Sequence, residues 1–245
     1  MEAAKRASAE SDTQRLYDGV EARHKEWSVI ASLDDAVSSP NRRLFEVSLL
    51  AIALARHVEL TVFDDRNSDE PRWFENWPGE HYKLLVGLVR ATAAKNIIEI
   101  GTYTGMGLLS LAQGLPNGGS ITSFDIVPWD TFDKTWLRKS DFASGNVRQE
   151  IHDISGADGL KPYLELFETA DFIFVDGPKD VATEAAILRN LETVTFKNDP
   201  IIMFDDIRVM NMVSIWRKIA RPKLDLTSFG HWSGTGLIDW SGRAD

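Results

Sequence analysis

The chain has 245 residues, no cysteine and a formal net charge of −10, with 43% hydrophobic and 26% charged residues. This length and composition suit one α/β domain with an extension and argue against global disorder. The acidic charge and scattered basic residues disfavour nucleic-acid and membrane-surface partners, and the lack of cysteine excludes disulfides, thiolate metal sites and a cysteine nucleophile.

The first region, residues 1–78, is predicted to be an N-terminal helical extension that ends in an aromatic loop. Residues 1–14 are polar, which predicts a frayed tail and no secretory signal. Residues 15–63 are typical of helix, and the charges within 44–63 indicate a buried helix rather than a membrane span, so a cytoplasmic protein is expected. Segment 48–55 is apolar almost all round and needs cover from the core or from a second subunit, which leaves a homodimer open.

The aromatic loop, residues 64–80, combines charges with apolar anchors. It is interpreted either as a strap packed on the domain surface or as a lid over a site. Its prolines and aromatic residues are Pro71, Pro78, Trp73, Phe74 and Trp77.

Residues 79–245 are assigned to a second unit, because helix and strand patterns alternate regularly there. Such alternation predicts a parallel sheet with helices on both faces. The predicted helices are 79–94, 105–113, 157–167, 181–193 and 210–219. The predicted strands are 96–101, 120–126, 147–153, 171–176 and 201–205. Two more strand-like segments, 223–229 and 237–240, flank a glycine-containing connection and predict a C-terminal antiparallel hairpin.

A glycine-rich turn follows the first of these strands, and in open α/β sheets ligands bind beyond such strand ends. The glycines fall as G-x-x-x-G-x-G, which differs from the dinucleotide pattern G-x-G-x-x-G and argues against an NAD enzyme. Asp125 ends the next strand, 24 residues after Gly101, where a carboxylate can accept hydrogen bonds from ribose hydroxyls. Asp153, after the third strand, is interpreted either as an adenine neighbour or as a turn cap.

The turn E-x-G-x-x-x-G, Asp125 and the terminal hairpin make residues 79–240 similar to class I S-adenosylmethionine-dependent methyltransferases. The resemblance implies a Rossmann-like, mostly parallel sheet of seven strands, with the last strand antiparallel. It implies S-adenosylmethionine as the cofactor. It also implies that the turn binds the amino-acid part of that cofactor, through Glu99, Gly101, Thr102, Tyr103 and Gly105.

Acidic residues end the fourth and fifth predicted strands, as Asp176 and as the pair Asp205 and Asp206. Three close carboxylates repel one another unless a cation or protons intervene, and Mg²⁺ prefers such oxygen ligands. A metal would lower the pKa of a bound substrate hydroxyl, and Lys179 is a candidate to take its proton. Because neighbours on a strand point to opposite faces, Asp205 and Asp206 can share a metal only if the chain turns there.

This set resembles that of the metal-dependent O-methyltransferases, such as catechol and caffeoyl-CoA O-methyltransferases. Asp176, Lys179 and Asp205 match the family pattern, whereas Asp206 stands where asparagine is usual. The replacement keeps an oxygen ligand and leaves the identity of the metal open.

Three further residues are candidate substrate contacts: His81, His231 and Trp232. The main hypothesis is magnesium-assisted O-methylation of a small-molecule hydroxyl, with Asp176 and Lys179 as the catalytic pair. One alternative is a metal-independent O- or N-methyltransferase with a histidine base. A further alternative is a catalytically inactive protein that binds the cofactor and a partner.

Overall fold

The structure is a computed structural model, and it describes residues 39–67, 72–209 and 212–241. The predicted tail at 1–14, the part of the predicted helix that precedes residue 39, and Pro71 lie outside these residues. The first described helix, α1, is Arg42–Ala55. It begins at Asn41, whose side chain accepts a hydrogen bond from the backbone N–H of Leu44 and so caps the helix.

Seven strands form one sheet in the order β3-β2-β1-β4-β5-β7-β6. Strands β1 to β5 pair in parallel, and β7 runs antiparallel to both of its neighbours. The strands are β1 (Asn96–Ile100), β2 (Ser120–Asp125), β3 (Val147–Ile151), β4 (Phe172–Val175), β5 (Ile201–Asp205), β6 (Lys223–Asp225) and β7 (Thr235–Asp239). The prediction of a mostly parallel, Rossmann-like sheet with a C-terminal antiparallel hairpin is confirmed.

Two hydrophobic cores cover the two faces of this sheet. Successive strand residues point to opposite faces, so Ile97 packs in one core and Ile98 in the other. The first core contains α1 with α2 (Tyr82–Thr92) and α3 (Met106–Gly114). The second contains α4 (Leu164–Glu168), α5 (Ala182–Leu191) and α6 (Met212–Lys218). Burial of these side chains on both faces is the main force that holds the layers together.

Two predicted elements differ from the structure. The helix predicted over 157–167 begins only at Leu164, after a short 3₁₀ turn, because Pro162 lacks a backbone N–H and resists the helix interior. The strand predicted over 223–229 ends at Asp225, whose side chain accepts a hydrogen bond from the N–H of Thr227 and turns the chain.

Residues 72–81, which we call the strap, comprise the second described part of the aromatic loop and His81, and they pack on the domain surface. The indole Nε1 of Trp77 donates to the carbonyl of Phe229 at 2.9 Å. The N–H of Gly79 donates to the carbonyl of Gly230, and the N–H of Trp232 donates to the carbonyl of Gly79, both at 3.1 Å. The strap is therefore fixed to the segment that precedes β7.

Helix α1 is anchored at its start and apolar on its outer side. Arg43 pairs with Asp239 of β7 at 2.6 Å, and Ala51 packs in the first core. Phe45 and Leu49 remain 48% and 68% exposed, so the cover expected all round this helix is present on one side only. A homodimer through that face, and the domain division at residue 79, stay predictions. Among the described residues, no helix is both long and apolar enough to cross a membrane.

Candidate active site

A cavity of about 620 Å³ opens at the carboxyl ends of β1, β2 and β4. Strands β1 and β4 are neighbours whose connections leave in opposite directions, and such a switch point is where open α/β sheets bind ligands. The volume suits a nucleoside-sized ligand. Predicted site residues that line it are Gly101, Tyr103, Asp125, Asp153 and Asp176.

Glycine is required at two positions of the turn after β1. Gly101 has φ +103°, and a Cβ there would lie 2.0 Å from the carbonyl oxygen of Asp176. Gly105 has φ +91°, and a Cβ there would lie 2.2 Å from the side chain of Leu137. Only a residue without a side chain fits such close approaches in this conformation. The turn is thus pressed against the end of β4.

Asp125 organises this turn through its carboxylate. Oδ2 accepts hydrogen bonds from the backbone N–H groups of Thr102 and Tyr103, both at 2.9 Å, and Oδ1 accepts one from Val127 at 3.0 Å. A carboxylate oxygen can accept two hydrogen bonds, so Oδ1 keeps capacity for a further donor in the cavity.

Glu99 lies fully buried beneath the turn. Burial raises the pKa of its carboxyl well above the usual value, against a hydrogen bond from Ser123 that lowers it. Its Oε1 has no hydrogen-bond partner among the described residues, and Thr102 shares the Ser123 hydroxyl at 2.6 Å. Glu99 is not among the residues that line the cavity, and a contact between its unpaired oxygen and a ligand stays a prediction.

Asp153 both caps a turn and lines the cavity. Its Oδ1 accepts hydrogen bonds from the hydroxyl and the N–H of Ser155, and these lower the pKa of Asp153. Two cavity residues that the sequence reasoning missed are Ile126, 70% exposed, and Phe132, whose ring lies 5.0 Å from that of Tyr103. Ile126 directly follows the motif residue Asp125, and this adjacency was the available signal.

The cavity is one side of a crevice along the carboxyl ends of the strands, and three acidic residues converge on the other side, at the ends of β4 and β5. We call Asp176, Asp205 and Asp206 the carboxylate cluster. Each offers an oxygen that lies within 4.8 Å of the others. Asp205 is the last residue of β5, and Asp206 has φ +58°, so the chain turns there. This left-handed conformation, which aspartate tolerates better than most residues, lets neighbouring carboxylates face one site.

The carboxylate cluster fits a divalent cation. Asp205 Oδ1 is buried without a hydrogen-bond partner among the described residues, and the ligand set consists of hard oxygen atoms. The ammonium of Lys179 is in contact with Asp176 and lies 3.2 Å from Asp206 Oδ2. Burial disfavours this ammonium, but the surrounding carboxylates raise the pKa of Lys179 above its usual value. Lys179 therefore carries its proton in this arrangement.

His231 is held among carboxylates from two directions. Its Nδ1 lies 3.4 Å from Asp205 Oδ2 and from Asp206 Oδ1, and its Nε2 lies 3.2 Å from Glu80 Oε2. Burial alone would lower the pKa of His231, but the three carboxylates around it raise it to about 12. An imidazolium cannot accept a proton, which argues against His231 as a base.

The other two substrate candidates lie in different surroundings. His81 is 2% exposed, and its Nδ1 lies 3.4 Å from Asp205 Oδ1. Trp232 is 71% exposed, its ring lies 5.6 Å from that of His231, and it is not among the residues that line the cavity. Sequence reasoning missed Glu80, whose only signal is its position next to His81.

Comparisons with known proteins find similar sequences among O-methyltransferases. A family model described as O-methyltransferase matches residues 75–212. The chain is 30% identical over 151 residues to Probable caffeoyl-CoA O-methyltransferase 3 of Dictyostelium discoideum, which covers 59% of this chain and 57% of that protein. It is 35% identical over 109 residues to caffeoyl-CoA O-methyltransferase 2 of Eucalyptus globulus, covering 42% and 40%.

The chain thus spans less than two thirds of the length of these relatives. Among solved structures, the SAH-bound Podospora anserina methyltransferase PaMTH1 aligns with a TM-score of 0.47 and 14% identity. That alignment covers 94% of this chain and 96% of the other.

Proposed function

Since this chain belongs to the O-methyltransferase family, we propose that it transfers a methyl group from S-adenosylmethionine to a hydroxyl of a small molecule, with the help of a divalent cation. The observation that carries the proposal is the position of Asp176, which belongs to both sides of the crevice. It lines the nucleoside-sized cavity and is also a member of the carboxylate cluster. A methyl donor and a metal-held hydroxyl would therefore meet at this residue.

The chain's own residues suit the cofactor, which supplies a methyl group activated by a positively charged sulfur. Asp125 has the free acceptor capacity to hold ribose hydroxyls through Oδ1. Glu99 and the backbone around Gly101 and Thr102 would hold the amino-acid part, and Tyr103 would cover the cavity. Asp153 would border the adenine.

A magnesium ion held by the carboxylate cluster would supply Lewis acidity that lowers the pKa of a substrate hydroxyl. Lys179 can accept a proton at Nζ only in its neutral form. Asp176 and Asp206 now stabilise the charged form, so proton acceptance requires that their oxygen atoms be engaged by another cation. Asp206 adds a negative charge where the family usually has asparagine, which should strengthen cation binding.

The metal-independent alternative needs a neutral imidazole, and the carboxylates around His231 disfavour one. Of the two histidines predicted from the sequence, this leaves His81 as the candidate base. The inactive-partner alternative makes a separate prediction, which is tight cofactor binding without transfer to any acceptor.

The test is calorimetric titration with S-adenosylhomocysteine, in the presence of Mg²⁺ and of chelator, followed by turnover with catechol as the probe acceptor. We compare the native chain with Asp176→Asn and with the control Asp158→Asn, an exposed acid outside the cavity. Asp176→Asn should lose the Mg²⁺ signal and about 100-fold in methyl transfer, because it removes a charged ligand. The control should behave as native.

Transfer that survives chelation and is unchanged in Asp176→Asn would overturn the metal part of the proposal. Absence of S-adenosylhomocysteine binding would overturn all of it. Binding without transfer to catechol or to other hydroxyl acceptors would support the inactive-partner alternative.

A further inference from the structure

We propose that His81, Asp205 and His231 form a second cation site, which we call the imidazole site and which selects a transition metal such as Co²⁺ or Zn²⁺. It shares Asp205 with the carboxylate cluster. The proposal goes beyond methyl transfer and does not depend on it, because it concerns ligand chemistry at the strap and the segment before β7.

The donor atoms are spaced as metal ligands. His81 Nδ1 lies 3.4 Å from Asp205 Oδ1, and His231 Nδ1 lies 3.4 Å from Asp205 Oδ2. All three residues offer one ligand atom within 4.8 Å of the others. Ligand atoms about 2.1 Å from a tetrahedral Zn²⁺ lie roughly 3.4 Å from one another, whereas 3.4 Å is long for a hydrogen bond.

Two of these residues have buried polar atoms that nothing satisfies. Both ring nitrogens of His81 and the Oδ1 of Asp205 lack hydrogen-bond partners among the described residues. His81 and Asp205 are each 2% exposed, so bulk water does not replace the missing partners. Buried polar atoms are rarely left unpaired, and a cation between His81 Nδ1 and Asp205 Oδ1 would satisfy both.

His231 is oriented as metal-ligating histidines are. Such residues donate their second ring N–H to a carboxylate, which fixes the free nitrogen toward the metal. Here the buried Glu80 faces Nε2 at 3.2 Å, and Nδ1 lies 3.4 Å from Asp205 Oδ2. In the metal-free chain Nδ1 carries a proton that it donates to Ser233, so a cation would bind at Nδ1 in exchange for that proton. The hydroxyl of Ser233 lies 2.7 Å from that Nδ1 and also contacts Asp206, which remains its partner when a cation takes the nitrogen.

The donor set distinguishes this site from the carboxylate cluster. Two imidazoles and one carboxylate, with open positions for other ligands, suit Zn²⁺, Fe²⁺ and Co²⁺. Mg²⁺ prefers an octahedron of oxygen atoms and is better served by Asp176, Asp205 and Asp206. The two ligand sets thus offer neighbouring positions with different metal preferences.

The experiment is titration of chelator-stripped protein with Co²⁺ in excess Mg²⁺, followed by the visible absorption of the cobalt ion. We expect about one Co²⁺ per chain with an absorption typical of nitrogen ligation. His81→Phe keeps the ring volume beside Phe174 and Tyr82 but removes the donor atoms. It should weaken Co²⁺ binding by at least about 100-fold, since one of three ligands is lost.

Three further variants make the result decisive. His57→Gln removes an exposed histidine outside the crevice and should leave Co²⁺ binding unchanged. Asp176→Asn should lose the Mg²⁺ site and keep the cobalt spectrum, which separates this inference from the proposed function. His81→Gln is a second test if circular dichroism shows that His81→Phe is misfolded. Unchanged Co²⁺ affinity in a folded His81 variant would overturn the imidazole site. Loss of the cobalt spectrum in Asp176→Asn would overturn it as well.

Discussion

The two sides of the strand-end crevice are built in different ways. The turn and the carboxylate that organise the cofactor side come from one contiguous stretch, 99–125, and rely on backbone N–H groups and glycine conformations. The cation side gathers charged side chains from distant segments, from Glu80 to His231. The first side therefore depends on backbone conformation, and the second depends on the balance of charge.

The largest effect that would separate the two sides is expected for Lys179→Met. This change removes the ammonium between Asp176 and Asp206 and the candidate proton acceptor. We expect kcat to fall by about 10²- to 10⁴-fold, while the Kd for S-adenosylhomocysteine stays within about 3-fold. Steady-state kinetics and calorimetry measure the two effects, and the exposed Lys161→Met is the control. Equal loss of cofactor affinity and turnover would contradict the division.

Gly101→Ala should produce the opposite pattern. The new Cβ would meet the carbonyl oxygen of Asp176 at 2.0 Å, in a conformation with φ +103°. We expect about 100-fold weaker S-adenosylhomocysteine binding and a loss of about 3 kcal/mol in the free energy of unfolding.

The matched control for this change is Gly118→Ala. Gly118 also has a positive φ, +76°, but a Cβ there has open space. It should cost about 1 kcal/mol in stability and leave the cofactor affinity intact. If both variants bind S-adenosylhomocysteine equally well, the close approach of Gly101 to Asp176 does not contribute to cofactor binding.

The smallest effect is expected for Asp141→Asn, which bears on the cofactor side alone. Arg66 forms a two-point pair with Asp141 at 2.6 and 2.9 Å and holds the carbonyl of Trp136, whose neighbour Leu137 packs against Gly105. Burial raises the pKa of Asp141, but hydrogen bonds from Arg66 and Arg138 outweigh it and lower that pKa below its usual value.

Because the folded-state pKa of Asp141 is the lower one, the pair stabilises the fold above the unfolded-state pKa of about 3.9. This contribution is lost as the pH falls through the folded-state pKa. We expect the variant to unfold about 1 kcal/mol more easily at pH 7, and the difference to shrink in acid. Urea titrations at several pH values measure this, and a constant difference at every pH would refute it.

Much of the fold and the cofactor side could be predicted from the sequence, because their signals are local. Glycine spacing after β1 and Asp125 at the end of β2 are read directly from the chain. Alternating strand and helix patterns predicted the parallel sheet. Pro162 and Asp225 altered two elements through local turn chemistry, which a periodicity pattern does not report.

The cation side was predicted only as a set of acidic strand ends. Asp205 and Asp206 can face one site because Asp206 has a left-handed conformation, and this conformation could not be predicted from the sequence. The place of Glu80 beside His231 depends on tertiary contacts across 151 positions of the chain. These contacts also favour the charged form of His231, so a sequence pattern could not have argued against it as a base.

Because Gly79 pairs with the segment before β7, the cation side can form only late in the synthesis of the chain. Residues 99–125 can form their turn while the C-terminal hairpin is still inside the ribosome. Glu80 and His81 meet His231 only after that hairpin has been translated and has docked beside β5. Contacts between such distant positions carry a loop-closure cost and form slowly. Any metal bound there would therefore report that the whole chain has reached its native topology.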